Sequence, residues 1–229
     1  VEQFIGVSGE NLGLSHFPDQ QLQPPFEMNC VEKHFQQQMK NLFPDRPVTI
    51  GRVANLTQSV KGRGVCQSRD YCHRGCPYGA YFSTNASTLP AAFATGKLTL
   101  MPNMLVNQVI YDEQKKVASG VEVIHTETNK TSQYFARLIF LNASTVATTQ
   151  ILLNSISRRF PNGLGNDSDQ VGRNLMDHHK QAGARAEVEG FQDQYYYGRR
   201  PVGLYVPRFR NIRAQHTNYV RGFGLMGWT

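Results

Sequence analysis

The apolar positions of the chain fall into a few short periodic runs separated by long polar stretches. Across residues 27–42, Met28, Val31, Phe35, Met39 and Leu42 recur every three or four positions, which predicts an amphipathic helix. Phe43-Pro44 closes it, because the residue before a proline avoids the helical region. Residues 48–53 read as a short strand. Ser83 or Asn85 is placed to cap a helix running to Ala94, with Gly96 at its stop and Pro90 tolerated only near its start. Alternation then predicts strands at 98–101, 104–112, 117–126 and 132–141, the second and third joined as a hairpin by the polar turn 112–116. Residues 145–155 predict a helix with Val146, Ile151, Leu152 and Leu153 inward. Residues 158–169 are a loop, and 181–188 and 218–226 read as later strands, while 1–25 are irregular. The predicted class is α+β, with helices packed on antiparallel sheet.

Composition narrows this only a little. With 229 residues and 40% hydrophobic content, a disordered or fibrous chain is excluded. No apolar run approaches the roughly 20 residues of a membrane-spanning helix. The net charge is +7, and it is skewed: no acid follows Asp193, whereas Arg199, Arg200, Arg208, Arg210, Arg213 and Arg221 do. Tyr195, Tyr196, Tyr197, Tyr205, Phe209, Tyr219, Phe223 and Trp228 lie among these arginines. Such a mixture serves nucleic acid, a substrate pocket or a subunit surface. No recognised nucleic-acid module accompanies it, so no nucleic-acid partner is assigned.

The stretch 55–82 is rich in Gly, Arg and Cys, lacks periodicity and reads as a long functional loop. Its core is Cys66-x5-Cys72-x3-Cys76, followed by Pro77. Three thiols so close in sequence suit an iron–sulfur cluster, a zinc site completed by His73, or a disulfide beside a free thiol. Arg63, Arg69 and Arg74 favour the thiolate form. Cys30, alone on the first helix, reads as a buried core thiol.

The run Gly64-Val65-Cys66 through Cys72-His73-Arg74-Gly75-Cys76-Pro77-Tyr78-Gly79-Ala80 resembles the glucose–methanol–choline (GMC) flavin oxidoreductases. It is most similar to the large subunits of the branch with gluconate, fructose and FAD-dependent glucose dehydrogenases. In that branch the three cysteines hold a three-iron, four-sulfur (3Fe-4S) cluster, which the resemblance assigns to Cys66, Cys72 and Cys76. Residues 98–106, with Val109-Ile110 and Gly120-Val121, resemble a strand pair whose valine backbone meets the FAD adenine, here Val106. Residues 138–143 and 150–155 resemble the strand, turn and helix that close over the flavin, which places Ala143 and Ser144 at the turn. Val171-Gly172-Arg173-Asn174-Leu175-Met176-Asp177-His178 resembles the signature Gly-Arg-Asn-Leu-x-Asp-His, adding Gly172, Asn174, Asp177 and His178 to the cofactor side. These similarities cover about residues 1–180.

The resemblance implies residues 1–97 as a substrate-domain helix and cysteine loop, 98–180 as part of the FAD-binding domain, and 181–229 as the start of the substrate-domain sheet. It implies hydride transfer from a CH–OH group of a sugar or alcohol to FAD, with electrons leaving through the cluster. The implied partners are the substrate, a cytochrome c and a small accessory subunit, with membrane association only through a partner and a periplasmic or membrane-associated setting. The rival reading is a non-catalytic, partner-docking domain with structural zinc at the cysteine loop.

Three features depart from the family. Ser144 stands where a glycine is usual, which questions close backbone packing on the cofactor. The chain has no Gly-x-Gly-x-x-Gly opening a βαβ unit and no His and Asn/His pair to act as base. The expectation is therefore an internal piece of a longer enzyme, inactive alone, with the base beyond Thr229 and no catalytic residue of its own. Asp177, His178 and His179 are adjacent and point apart, so they are not read as a metal site. The Asn-x-Ser/Thr triplets at Asn55, Asn85, Asn129, Asn142 and Asn166 are taken as chance.

Overall fold

The computed structural model describes residues 1–177, 182–192, 198, 200–215 and 218–229. The chain forms two compact units, Val1–Leu98 with Arg185–Thr229, and Thr99–Ala184.

The first unit carries α1 (Glu2–Ile5), α2 (Cys30–Leu42), β1 (Thr49–Ile50), a 3-10 turn at Cys72–Arg74, α3 (Thr88–Ala94), β5 (Leu204–Val206) and β6 (Leu225–Gly227). Its sheet is antiparallel in the order β1-β5-β6, with Ile50 opposite Leu204 and Tyr205 opposite Met226. Val48, Ile50, Leu204 and Val206 form the core, and Met28, Met39 and Phe209 pack against it. Helix α2 starts with a reciprocal capping box: the Asn29 side chain accepts from the Glu32 N–H, and the Glu32 carboxylate accepts from the Asn29 N–H. Its expected apolar face is only partly used, since Phe35 and Leu42 are exposed and the buried residue is Glu32. Glu32 is tolerated inside because Arg200 Nη2 donates to both of its carboxylate oxygens, while Nη1 donates to the Glu27 carbonyl. Cys30 is exposed at the first turn of α2, not buried as its sequence setting implied.

Helix α3 begins at Thr88, so Pro90 sits in the first turn, where the lost N–H has no helical partner anyway. The later strands differ from expectation. Residues 182–188 form no strand, residue 181 lies outside the described residues, and of 218–226 only the end enters β6. Strand β5 was not legible, being a three-residue piece between Gly203 and Pro207.

The second unit contains β2 (Met104–Asp112), β3 (Val117–His125), β4 (Thr131–Phe135) and α4 (Ser144–Asn154). Its antiparallel sheet has the order β2-β3-β4, and β2 and β3 form the expected hairpin, with Asp112 accepting from the N–H groups of Gln114 and Lys115 in the turn. Register slips between Val106 and Gln108 mark a β-bulge. Residues 98–101 form no strand, and the fourth predicted strand ends at Phe135; after Ala136, whose N–H still donates to the Ser119 carbonyl, residues 137–141 leave the sheet with Leu138 and Phe140 exposed. Helix α4 is tied to β2 by Ser155, whose hydroxyl accepts from the Val109 N–H at 2.8 Å and donates to the Ile151 carbonyl at 2.6 Å. Ile151 is buried as expected, whereas Val146 and Leu153 are exposed.

The architecture is mixed helix and antiparallel sheet, as the sequence implied. Among the described residues no helix is long and apolar enough to cross a membrane.

Candidate functional site

The cysteine loop is closed at its base by pairing of 54–56 with 80–82: Leu56 N–H donates to the Ala80 carbonyl and Phe82 N–H to that of Ala54. Leu56 and Ala80 are fully buried there. The Cys66 N–H donates to the Leu56 carbonyl at 2.9 Å, and the Gly64 N–H to the Tyr78 carbonyl at 2.7 Å. Arg63 locks this arrangement from inside. It is only 7% exposed and donates to the carbonyls of Gly79 at 2.7 Å, Ile5 at 2.7 Å and Ala80 at 3.5 Å.

Cys66, Cys72 and Cys76 are all free, half-buried and line one small cavity of about 30 Å³ with Asn55, Tyr71 and Tyr78. The Asn55 side-chain amide lies 4.0 Å from the Cys72 sulfur. Burial pushes the Cys72 thiol up, and the neighbouring Cys66 and Cys76 push it the same way. Burial acts on Cys76 too, but there the backbone N–H groups of Tyr81, Tyr78, Ala80 and Gly79 outweigh it and leave the thiol below its ordinary value. The expectation that arginines favour the thiolates is met only by Arg63, whose charge and that of Cys76 attract. Arg63 is committed to three carbonyls, Arg69 lies over Tyr71 and Tyr78, and Arg74 lies over Tyr71. Backbone amides supply most of the stabilisation of Cys76.

Among the described residues no three His, Cys, Asp or Glu side chains converge on a position that would hold a metal ion. A mononuclear zinc site needs its sulfurs about 2.3 Å from one ion, and this loop does not provide that. The space among the three thiols has room for a water or two.

In the second unit, a cavity of about 490 Å³ lies between the first turns of α4 and the segment 172–176, lined by Thr145, Val146, Thr149, Gly172, Arg173 and Asn174 among others. Left-handed backbone occurs at Gly172 and Asn174 in its lining and at Ser144 beside it. Gly172 has φ +83°, and a Cβ there would approach the Thr149 methyl to 3.2 Å. Ser144 has φ +67°, so the glycine-like conformation is kept although the residue is not glycine. Asn174 (φ +59°) donates its side-chain amide to Gln170 at 3.2 Å. Asn166, missed in the sequence except as a chance triplet, is buried and accepts from the Val171 N–H at 3.0 Å, holding the approach to Gly172.

Of the residues expected at a cofactor, Gly172 and Asn174 share this cavity, and Ser144 adjoins it through Thr145. Ala143 is the exposed N-cap of α4. Val106 lies on β2 beside the bulge and Asp177 ends the described segment, neither lining the cavity. His178 lies outside the described residues.

The family model described as GMC oxidoreductase matches residues 49–180, which spans the cysteine loop, the hairpin, α4 and the segment around Gly172. The chain is 27% identical over 181 residues to the fructose dehydrogenase large subunit of Gluconobacter japonicus, covering 76% of this chain and 32% of that protein. It is 26% identical over 231 residues to 2-methyl-1,2-propanediol dehydrogenase of Mycolicibacterium austroafricanum, covering 98% of this chain and 40% of that protein. The chain thus spans about a third to two-fifths of the length of the curated relatives it matches. With more than half of its residues matched to one family, and with the left-handed turns and cysteine loop of the matched stretch in place, the chain belongs to the GMC oxidoreductase family.

Proposed function

We propose that this chain supplies part of an FAD-dependent dehydrogenase acting on the CH–OH group of a sugar or alcohol. The observation that carries the reading is the cavity between α4 and residues 172–176, inside the stretch matched to the family. Its size is that of a small-molecule site, enough for one portion of an extended dinucleotide. Gly172, Asn174 and the Ala143-Ser144 turn would hold the cofactor, with Val106 toward its adenine and Asp177 and His178 on the signature segment. FAD, when bound, supplies the hydride acceptor. The residues of this chain bind and orient: left-handed turns at Ser144 and Gly172 bring backbone close to the ligand, and Thr145 and Thr149 offer hydroxyls along the cavity wall. The base that takes the hydroxyl proton is assigned outside residues 1–229, and the chain alone is inactive.

Residues 1–97 and 181–229 are assigned to the substrate side and 98–180 to the flavin side. For the cysteine loop the reading is a 3Fe-4S cluster on Cys66, Cys72 and Cys76, supported by the Cys-x5-Cys-x3-Cys spacing and by the three thiols lining one cavity. The cluster, when bound, would relay single electrons to an external acceptor, with a c-type cytochrome and a small accessory subunit as partners. The relative named as a large subunit supports a multi-subunit assembly.

The test is oxidation of a panel of sugars and alcohols with an artificial electron acceptor, using protein expressed from the whole gene and prepared without oxygen. Turnover lost on Gly172→Val supports the reading, and no turnover with any of them overturns it. Metal analysis of the same preparation decides the loop: about three irons per chain with broad visible absorption supports the cluster, and about one zinc in colourless protein replaces it.

A further inference from the structure

The rim of the cysteine cavity carries a contiguous set of cationic and aromatic side chains. Tyr71 is its centre: the guanidinium carbons of Arg69 and Arg74 each lie 5.7 Å from its ring centroid, and the His73 ring centroid lies 6.5 Å away. Arg69 also reaches Tyr78, at 5.9 Å. All five side chains are exposed, with Tyr71 at 51% and Tyr78 at 45%, although the base of the same loop buries Leu56 and Ala80 fully. Arg69, Tyr71 and Tyr78 line the cavity that the three thiols share.

The surrounding sequence gives this face its sign. From Arg46 to Tyr111 there are seven lysines and arginines and one acid, Asp70, which also lines the cavity. Arg63 is buried, but Arg69 and Arg74 are exposed, and among the described residues neither pairs with a carboxylate. A guanidinium resting on a tyrosine ring has lost part of its freedom before a partner arrives, which lowers the entropy cost of binding. Arginine and tyrosine are also the side chains that most often anchor protein interfaces, because each joins apolar area to a polar end. Single-stranded nucleic acid uses rings as stacking platforms for its bases. Here guanidiniums already lie over both tyrosines, and their edges match carboxylates in a fork geometry.

We propose that Arg69, Tyr71, His73, Arg74 and Tyr78 form a docking surface for an acidic protein partner. Asp and Glu side chains of that partner would take the edges of Arg69 and Arg74, and its apolar groups would cover the tyrosines. Docking there would close over the cavity of the three thiols. The inference does not depend on the flavin reading or on what the cysteines bind.

The experiment uses the protein expressed from its whole gene and two probes built on one scaffold. These are cytochrome c, rich in lysine ammonium groups, and its succinylated form, which carries carboxylates in their place. Surface plasmon resonance should show saturable binding of the succinylated form, weakened several-fold between about 20 and about 200 mM salt, and no binding of the native form. Arg69→Gln with Arg74→Gln should weaken binding about ten-fold or more. Arg137→Gln with Arg158→Gln removes the same two charges from exposed positions of the second unit and should change it less than about two-fold. Hydrogen–deuterium exchange should place the protection caused by the succinylated form in the peptide spanning 67–78. No preference for the acidic form, equal losses in the two double variants, or protection elsewhere overturns the proposal. Oligo-dT of about 20 nucleotides binding more tightly than the acidic protein, and lost with Arg69 and Arg74, also overturns it in favour of a nucleic-acid surface. If a variant fails to fold, the contrast between the two probes and the protected peptide of the unsubstituted protein still decide it.

Discussion

Arg63→Met removes the guanidinium that organises the cysteine loop while keeping most of its aliphatic packing. Two of its hydrogen bonds, to the carbonyls of Ile5 and Gly79, are short at 2.7 Å, and the third, to Ala80, is marginal at 3.5 Å. Charge-assisted bonds contribute about 1.5–3 kcal/mol each, so the two short ones sum to about 3–6 kcal/mol. Burial opposes part of this, pulling the guanidinium below its ordinary pKa while Cys76 acts the other way. Removing the buried charge returns some of that desolvation, which leaves a net loss of about 2–4 kcal/mol. Urea unfolding followed by circular dichroism measures the total. Hydrogen exchange at Leu56, Gly64 and Cys66, whose N–H groups close the loop, locates it. A local loss of 2 kcal/mol accelerates their exchange by about 30-fold. A change below about 1 kcal/mol with unchanged exchange at those three amides would refute the claim that Arg63 organises the loop.

Glu32→Gln leaves Arg200 facing a neutral partner in a buried position and should cost about 3–5 kcal/mol, with the double change Glu32→Gln and Arg200→Met recovering part of it in denaturant titrations. Ser144→Gly relieves a left-handed strain of about 1–2 kcal/mol against a backbone-entropy loss of about 0.4–1 kcal/mol, so it should stabilise the chain by up to about 1.6 kcal/mol in thermal melts. A destabilised variant contradicts that. In the metal-free chain at neutral pH, Cys76 should alkylate first and Cys72 last, because a lowered thiol value gives more thiolate and a raised one less. Mass spectrometry of a timed iodoacetamide reaction reads the order, and the reverse order contradicts it.

The long periodic segments were legible. The β2-β3 hairpin and α4 follow directly from alternation and from helical spacing, and α2 from its apolar period. Tertiary context explains the departures. Val146 and Leu153 have the right period but no neighbour to cover them, while Glu32 is buried because Arg200, 168 positions away, reaches it. No local pattern contains such a pairing. At the cysteine loop, spacing indicated the three thiols, but the roles of Arg63 and of the amides at 78–81 arise from how the loop folds back on itself. Similarly, Ser144 read as a departure from the family, and its left-handed conformation is a property of the turn rather than of the residue.

The function proposed is that the whole protein works with a flavin on hydroxyl-bearing substrates. Its most direct test is the visible flavin band of the protein purified from its whole gene, before and after a sugar or alcohol is added without oxygen. The account predicts about one FAD per chain and bleaching of the band by at least one such substrate, whereas the isolated 229-residue chain retains no stoichiometric flavin. A whole protein without flavin, or with a flavin that no alcohol or sugar reduces, would contradict it.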